Sequence, residues 1–140
     1  MRGFLVIEVP MRPFSLNAER SEHRFARAKR VKGIRELAKT SALDQMPVWA
    51  KPFFESAHVE VEPIALDRRF RQDIGNCYPS AKACIDGFVD AGILRDDTDK
   101  ELLSLKFYPH QYGRDIMRFT LTGLLTRSAA NALAELEKGK

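Results

Sequence analysis

The stretch "DIGNCYPSAKACIDGFVDAGILRDD", residues 73–97, predicts the most regular element of this chain. Its apolar side chains recur at the spacing of one helix face, which makes a continuous apolar stripe; they are Ala81, Cys84, Ile85, Phe88 and Val89. Pro79 suits the first turn of a helix, and Gly92 suits the position just after its end. The sequence therefore predicts a helix over residues 79–91 that packs against a core.

Acidic residues flank this helix on both sides. The helix is about 20 Å long, and if the chain turns at Gly92 and runs back extended, the five residues to Asp97 recover about 16 Å. Asp97 can therefore approach the level of Asp73. Two converging carboxylates repel each other unless a cation neutralises them, and Mg²⁺ prefers such oxygen ligands. Lys82, one turn into the helix, is placed to stabilise charge on a phosphate.

A purely structural interpretation fits the same spacing. Asp73 would cap a turn, Lys82 would pair with Asp86 at i,i+4, and the acidic residues after the helix would form a solvated loop. The spacing alone leaves both interpretations open.

Charge is unevenly distributed along the chain. Residues 20–39 contain eight basic and two acidic residues, a balance of +6, and residues 86–101 contain six acidic and two basic residues, a balance of −4. A basic segment binds a polyanion by releasing its counterions, and an acidic cluster binds a hard divalent cation. Together these segments indicate metal-assisted chemistry on nucleic acid.

The other patterns predict an α+β fold. Strands are expected over residues 3–9, 58–66, 101–110 and 114–125, with Pro63 implying an edge or a bulge and with Gln111, Tyr112 and Gly113 joining the last two strands as a hairpin. A basic helix is expected over residues 21–39, with a connector after it, and a short helix from Ser128. We expect one domain over residues 1–140: a mixed sheet with two main helices packed on it, a core over about 3–124 and a helical tail over about 126–140.

Several classes of protein are disfavoured. No apolar run approaches the roughly 18 residues that span a bilayer, so we expect no membrane association and a cytoplasmic location. Cys77 and Cys84 would lie about 10 Å apart on a helix, beyond disulfide reach, and we expect both to be reduced and buried. A thiol at the start of a helix, as at Cys77, can have a lowered pKa. The three scattered histidines lack the spacing of a structural zinc site.

The motifs of residues 73–97 are similar to those of a known family. Its hallmark is an Asp-x-Asp-Asn segment, then a lysine, then a helix ending in Asp-x-Leu-x-x-Ala-Gly and an Asp-Asp pair. Here "DIGN" resembles the first part and "KACIDGFVDAGILRDD" the second, and "RPFSLNAERSEHRFARAKR", residues 12–30, is similar to the family's Pro-Ser-x-Asn loop and basic segment. The sequence thus resembles the RusA family of Holliday-junction resolvases, small dimeric endonucleases.

The resemblance implies a metal-dependent, structure-selective endodeoxyribonuclease that resolves four-way junctions by phosphodiester hydrolysis. Residue by residue, it implies that Asp73, Lys82 and Asp97 are catalytic, and that Asp73 and Asp97 hold Mg²⁺, with Mn²⁺ as a possible substitute. Two differences stand out. Gly75 replaces the second aspartate of the hallmark, and three extra residues separate Asn76 from Lys82. Asn76, Asp96 or Asp86 are the alternatives for the missing ligand.

The resemblance also implies branched DNA as a partner and a homodimer, because a two-fold dimer places one active site on each of two equivalent strands. Candidates for phosphate contact are Arg20, Arg24, Arg27, Lys29, Arg30, Arg68, Arg69 and Arg71. Two other hypotheses stay open: a catalytically impaired protein that binds branched DNA, and a domain whose basic helix binds a protein partner.

Overall fold

The computed structural model describes residues 1–13, 23–70 and 74–139, with only the backbone described at residue 70, and it has an α+β fold. The described strands are β1 (Arg2–Val9), β2 (Phe54–Ala65), β3 (Leu102–Phe107), β4 (Gln111–Tyr112) and β5 (Ile116–Leu125). The described helices are α1 (Arg24–Gln45), α2 (Tyr78–Ala91) and α3 (Arg127–Lys138), and two short 3-10 turns cover Arg68–Phe70 and Ile74–Cys77. The predicted fold class, a mixed sheet with helices packed on it, is confirmed.

One sheet contains all of these strands, in the order β1-β5-β2-β3, with β4 also pairing with β2. β5 is antiparallel to both β1 and β2, whereas β3 and β4 run parallel to β2. The helices cover one face of the sheet: the ring of Phe88 in α2 meets Phe119 of β5 edge-on, with ring centroids 4.9 Å apart. The opposite face, here called the open face, carries polar and partly exposed side chains such as His58 and Thr122.

Helices α1 and α2 cross closely at Gly87. A Cβ atom there would lie 2.3 Å from the carbonyl oxygen of Arg35 and 2.8 Å from the Cβ of Ala38. The glycine therefore lets α1 approach, and α1 in turn buries Ile34, Ala38 and Ala42 in the core. A bidentate ion pair between Arg35 and Asp90, with Nη2 to Oδ1 at 2.8 Å, spans the same crossing.

The predicted hairpin of the last two strands is wrong. β3 and β5 lie on opposite sides of β2, and the two-residue strand β4 between them also pairs with β2. Gly113, which follows β4, has a positive φ of 133°. The alternation of apolar and polar residues in a strand specifies only which of its faces is buried. The pairing of β3 and β5 instead depends on contacts with β2, which is remote in sequence.

The end of α1 and the place of Pro63 in the sheet also differ from the predictions. α1 continues to Gln45 instead of ending at residue 39, because Ser41 and Ala42 pack into the core and Ser41 donates to the carbonyl of Leu37 at 2.8 Å. β2 is an inner strand, so Pro63 is not at a sheet edge. It lies in the gap where β3 has ended opposite Val61 and β4 begins opposite Ile64.

The predictions for α2, for the glycine after it and for the two cysteines are confirmed. α2 runs from Tyr78 to Ala91, and Gly92 follows it with a left-handed φ of 88°. Cys77 and Cys84 are free and buried. In the part of the chain that the structure describes, no helix is long and apolar enough to cross a membrane. The single-domain organisation over residues 1–140 stays a prediction.

The close crossing at Gly87 predicts opposite effects for two Gly→Ala variants. Gly87→Ala forces a methyl group against backbone and should destabilise the protein by about 1–3 kcal/mol. Gly33→Ala, in the same helix pair but with no atom within 4 Å of the added Cβ, should stabilise it by about 0.5–1 kcal/mol through better helix propensity. Urea unfolding of both variants measures the difference, and equal effects would contradict the close crossing.

Candidate functional site

Lys82 of α2 joins two carboxylates from different parts of the chain. Its Nζ donates to Oδ1 of Asp86 at 2.6 Å, one turn further along α2, and to Oδ2 of Asp97 in the loop after the helix. The three side chains are partly exposed, with relative exposures of 41% for Lys82, 29% for Asp86 and 28% for Asp97. We call this group the Lys82 cluster.

The return of the chain after α2 brings Asp97 to Lys82. Gly92 and Ile93 donate to the last carbonyls of α2, at 3.0 Å to Val89 and 2.9 Å to Phe88. Ile93 and Leu94 are then fully buried, and the chain runs back along the helix. Lys82 lies ten residues before Gly92, about 15 Å along the helix axis, and Asp97 returns over that distance to contact it. The predicted approach of Asp97 to Asp73 lies outside the described residues and stays a prediction. The i,i+4 pair of Lys82 with Asp86 is also present.

The cluster holds Lys82 and Asp97 in their charged forms. Partial burial lowers the pKa of Lys82, but the hydrogen bonds and charges of Asp86 and Asp97 outweigh burial, so its pKa is raised overall. The hydrogen bond from Lys82 lowers the pKa of Asp97. Lys82 is therefore a cation and Asp97 an anion throughout the neutral range.

Asp96 and Asn76 lie near the cluster in sequence but differ in contacts. Oδ1 of Asp96 accepts from the backbone N–H of Asp97 at 2.8 Å, which orients the loop, and its side chain is exposed. Asn76 lies half-buried in the 3-10 turn that leads into α2. Within the described residues, no hydrogen bond joins Asn76 to Lys82 or Asp97.

Among the described residues, the Lys82 cluster supplies carboxylate oxygens but no complete metal site. Lys82 supplies one positive charge to two carboxylates, and exposed Asp96 adjoins them, so negative charge is in excess. Carboxylate oxygens are the ligands that Mg²⁺ takes. Over residues 1–13, 23–70 and 74–139, no three His, Cys, Asp or Glu side chains form a group that could hold a metal ion. Asp73 lies outside those residues, so the Asp73 and Asp97 metal pair stays a prediction.

The predicted phosphate-contacting residues fall into two described groups. Arg24, Arg27 and Lys29 are exposed on the first two turns of α1, and Arg30 follows them half-buried. Arg68 and Arg69 lie in the 3-10 turn after β2. Arg20 and Arg71 lie outside the described residues.

Arg69 already has an acidic partner. Its Nη2 donates to Oδ2 of Asp67 at 2.7 Å, and its backbone N–H donates to Oδ1 of the same residue at 2.8 Å. The guanidinium of Arg68 lies 5.6 Å from the ring centroid of Tyr112. Arg69 is therefore a weaker candidate than the sequence indicates, because Asp67 already offsets its charge.

The suggestion of a lowered pKa at Cys77 is wrong. The side chain is fully buried, and burial raises the pKa of Cys77 to about 11. Desolvation of the thiolate outweighs the favourable position before α2.

Sequence reasoning missed one cleft, of about 300 Å³. It is lined by Pro52, Phe54, Glu55, Arg95, Lys100, Glu101 and Thr126. These residues come from three separate segments, so no local pattern could have found it. The cleft is lined by both cationic and anionic side chains. Three of its lining residues, Arg95, Lys100 and Glu101, are close in sequence to Asp97.

The sequence was compared with known families and proteins. No protein-family model matches it, and no curated protein matches it.

The Lys82 cluster predicts a specific titration. Asp97 should titrate below the ordinary aspartate value of about 3.9, and Lys82→Met should raise its pKa, because the donor is lost and Asp86 then repels Asp97. The stabilisation from ionised Asp97 is present above about pH 3.9 and is lost as pH falls through the lowered pKa. Carboxyl ¹³C NMR measures this pKa.

Lys100→Met is the matched control, because it removes a lysine from the same loop with no hydrogen bond to Asp97 in the described contacts. An Asp97 pKa that does not change in Lys82→Met, or that rises equally in Lys100→Met, would contradict the assignment.

Proposed function

We propose that the protein is a metal-dependent, structure-selective endodeoxyribonuclease that acts on branched DNA such as four-way junctions. One observation carries the proposal: Lys82 donates to Asp97 across the return of the chain. These are the lysine and the second aspartate of the Asp-Asp pair that the resemblance to the RusA family selects as catalytic. Residues fifteen apart in sequence thus meet at the surface, where a substrate can reach them.

The distribution of charge supports a polyanionic substrate. Arg24, Arg27, Lys29, Arg30 and Lys32 follow one another on α1 with no acidic residue before Glu36. Such a helix binds the phosphate backbone through counterion release, without regard to sequence. Selectivity for a branch would then come from the shape of the DNA.

The side chains of the Lys82 cluster have distinct roles in this proposal. Protonated Lys82 donates to a non-bridging phosphate oxygen and stabilises the charge that develops there. Ionised Asp97 orients the lysine. Mg²⁺, when held by Asp97 with Asp73 and with Asp96 or Asn76 as further oxygen donors, would supply a more acidic bound water and neutralise phosphate charge.

A homodimer belongs to the same proposal. A four-way junction presents two equivalent strands, and a two-fold dimer offers one Lys82 cluster to each. Paired nicks on opposing strands are then the expected product.

Gly75 favours a second candidate function. It stands where the RusA hallmark has its second aspartate, and it provides no carboxylate for a metal ion. A protein that binds branched DNA without cutting it would keep the basic helix and need no complete ligand set.

Cleavage of a labelled synthetic four-way junction tests the proposal. The wild-type protein should nick the junction symmetrically in Mg²⁺, leave linear duplex intact and lose activity in a chelator. Asp97→Asn and Lys82→Met should each lower the rate by about 10²–10³-fold, the loss expected for one charge-stabilising group.

Asp99→Asn is the matched control for Asp97→Asn. Asp99 is an exposed aspartate of the same loop, and no hydrogen bond to Lys82 is described for it. Its variant should retain the wild-type rate. Junction binding with no cut in Mg²⁺ or Mn²⁺ would overturn the nuclease and leave the binding protein.

The basic start of α1 predicts the salt dependence of binding. The slope of the logarithm of the binding constant against the logarithm of the salt concentration is negative. The double variant Arg24→Gln, Lys29→Gln should make it less steep by about 1.8, since each lost phosphate contact contributes about 0.9. Lys138→Gln, which removes an exposed lysine at the other end of the chain, should leave the slope unchanged. Fluorescence anisotropy with a labelled junction measures both slopes, and equal slopes for all proteins would contradict this surface.

A further inference from the structure

β1 forms one edge of the sheet. Among the described residues, the backbone groups on its outer side are hydrogen-bonded only at Glu8. Among the described strands, β1 pairs with β5 alone. Gln45 of α1 bonds to the backbone of Glu8 twice: its Oε1 accepts from the Glu8 N–H at 2.8 Å, and its Nε2 donates to the Glu8 carbonyl at 2.8 Å. Both backbone groups of Glu8 therefore point away from β5.

The backbone groups of successive residues in an antiparallel strand point alternately to its two sides, so the orientation of Glu8 fixes that of the other residues of β1. Residues at even positions share the orientation of Glu8, so the N–H and C=O groups of Arg2, Phe4 and Val6 also point away from β5. Within the described part of the chain, these outward groups have no hydrogen-bond partner. β1 contains no lysine or proline between residues 2 and 9, and its pairing with β5 has no register shift. Three devices that often protect an edge strand, namely lysine, proline and a bulge, are therefore absent from β1, and Gln45 covers the edge only at Glu8.

Exposed apolar side chains lie beside this unprotected edge. Phe4 is 71% exposed, Val6 is 38% exposed and Leu124 of β5 is 40% exposed. Phe4 pairs with Thr122 and Leu124 pairs with Arg2, which places all of these side chains on the open face. An edge that offers both free backbone groups and apolar side chains is a template for another strand.

We propose that the edge of β1 pairs in antiparallel fashion with β1 of a second copy of this chain, about a two-fold axis at Phe4. This inference rests on the proposed function only for the expectation of a two-fold dimer; the edge itself does not depend on nuclease activity. Two copies of one edge are complementary by symmetry, because each N–H that points outward meets a C=O of the other copy.

The clamp of Gln45 on Glu8 selects the register. With the axis at Phe4, this residue faces the partner subunit's Phe4, and Arg2 faces the partner subunit's Val6. The three resulting pairs use every unclamped outward residue and form six hydrogen bonds. A register centred on Leu5 would instead place Arg2 opposite the partner subunit's Glu8 and would displace Gln45.

The side chains are compatible with this register. The two Phe4 rings meet on the open face across the axis. Arg2 lies beside the partner subunit's Val6 and diagonal to the partner subunit's Glu8, within reach of a long side chain. No like charges face each other.

The pairing would extend the sheet through both copies, with all helices on one side. The two β3 strands would then be outermost, seven strand spacings apart, or roughly 34 Å at about 4.8 Å per spacing. Each Asp97 loop leads into one β3, so the two Lys82 clusters would lie towards opposite ends of the dimer and on its helical side.

Sedimentation equilibrium of the full-length protein tests the edge. The wild-type protein should be a dimer at micromolar concentration, and Phe4→Lys should raise the dimer Kd at least about tenfold, because a charged side chain would face its own copy at the axis. Thr122→Lys is the matched control: it adds the same charge on the same face, directly opposite Phe4 in the β1–β5 pair, but away from the edge. It should remain a dimer.

A monomeric wild-type protein, or a Phe4→Lys variant with the wild-type dimer Kd, would overturn the proposal. Equal weakening by Thr122→Lys would also overturn it, since that result indicates face-to-face stacking. A dimer that passes these tests but cuts no junction would leave the edge pairing intact and overturn only the nuclease. Junction cleavage by a dimer whose Kd does not change in Phe4→Lys would overturn the edge pairing and leave the nuclease intact.

Cysteine cross-linking tests the register. Facing residues of a hydrogen-bonded pair have Cα atoms about 5.5 Å apart, within disulfide range, and the native Cys77 and Cys84 are buried. Mild oxidation should therefore convert Phe4→Cys to a covalent dimer and leave Val6→Cys monomeric on denaturing gels. A cross-link through Val6→Cys, or none through Phe4→Cys, would overturn the register.

Discussion

The reversal of the chain at Gly92 connects the core, the sheet and the candidate site. Its left-handed φ lets Gly92 and Ile93 close the end of α2, and the Gly92 and Ile93 carbonyls then accept from the N–H groups of Phe53 and Phe54 at 2.9 Å each. The turn at Gly92 places Ile93 and Leu94 in the core, and it also directs the chain so that Asp97 returns to Lys82. A side chain at Gly92 would require a strained backbone and would lie 2.6 Å from Cγ of Lys51. Packing and site geometry therefore depend on one backbone conformation.

Local patterns predicted the elements of this fold better than their arrangement. The apolar stripe of α2, the glycine after it and the strands β1 and β5 were all visible as local patterns. The partners of β3 and β5 were not, because a strand's alternation contains no record of which neighbour it pairs with. The end of α1, residues 40–45, was missed for a related reason. Ser41 and Ala42 are small residues that give little helical pattern of their own, and their burial depends on contacts that are remote in sequence.

Part of the candidate site could be predicted because it depends on local spacing along the chain. The i,i+4 pair of Lys82 and Asp86 follows from helix geometry, and the approach of Asp97 follows from the length of the helix and the turn at Gly92. The pairs of Arg35 with Asp90 and Arg12 with Asp115 join distant segments, and no spacing indicated them. The clamp of Gln45 on the β1 edge is likewise non-local. Charge counts identified the basic segment but could not show that Asp67 offsets Arg69.

The central claim is that Lys82 and Asp97 act as one unit on branched DNA, and a double-mutant cycle in junction cleavage tests it most directly. Rates would be measured in Mg²⁺ for wild type, Lys82→Met, Asp97→Asn and the double variant. Groups that act as a unit are not additive, so the double variant should lose no more activity than the worse single variant. Losses that multiply, or single variants with the wild-type rate, would contradict the claim.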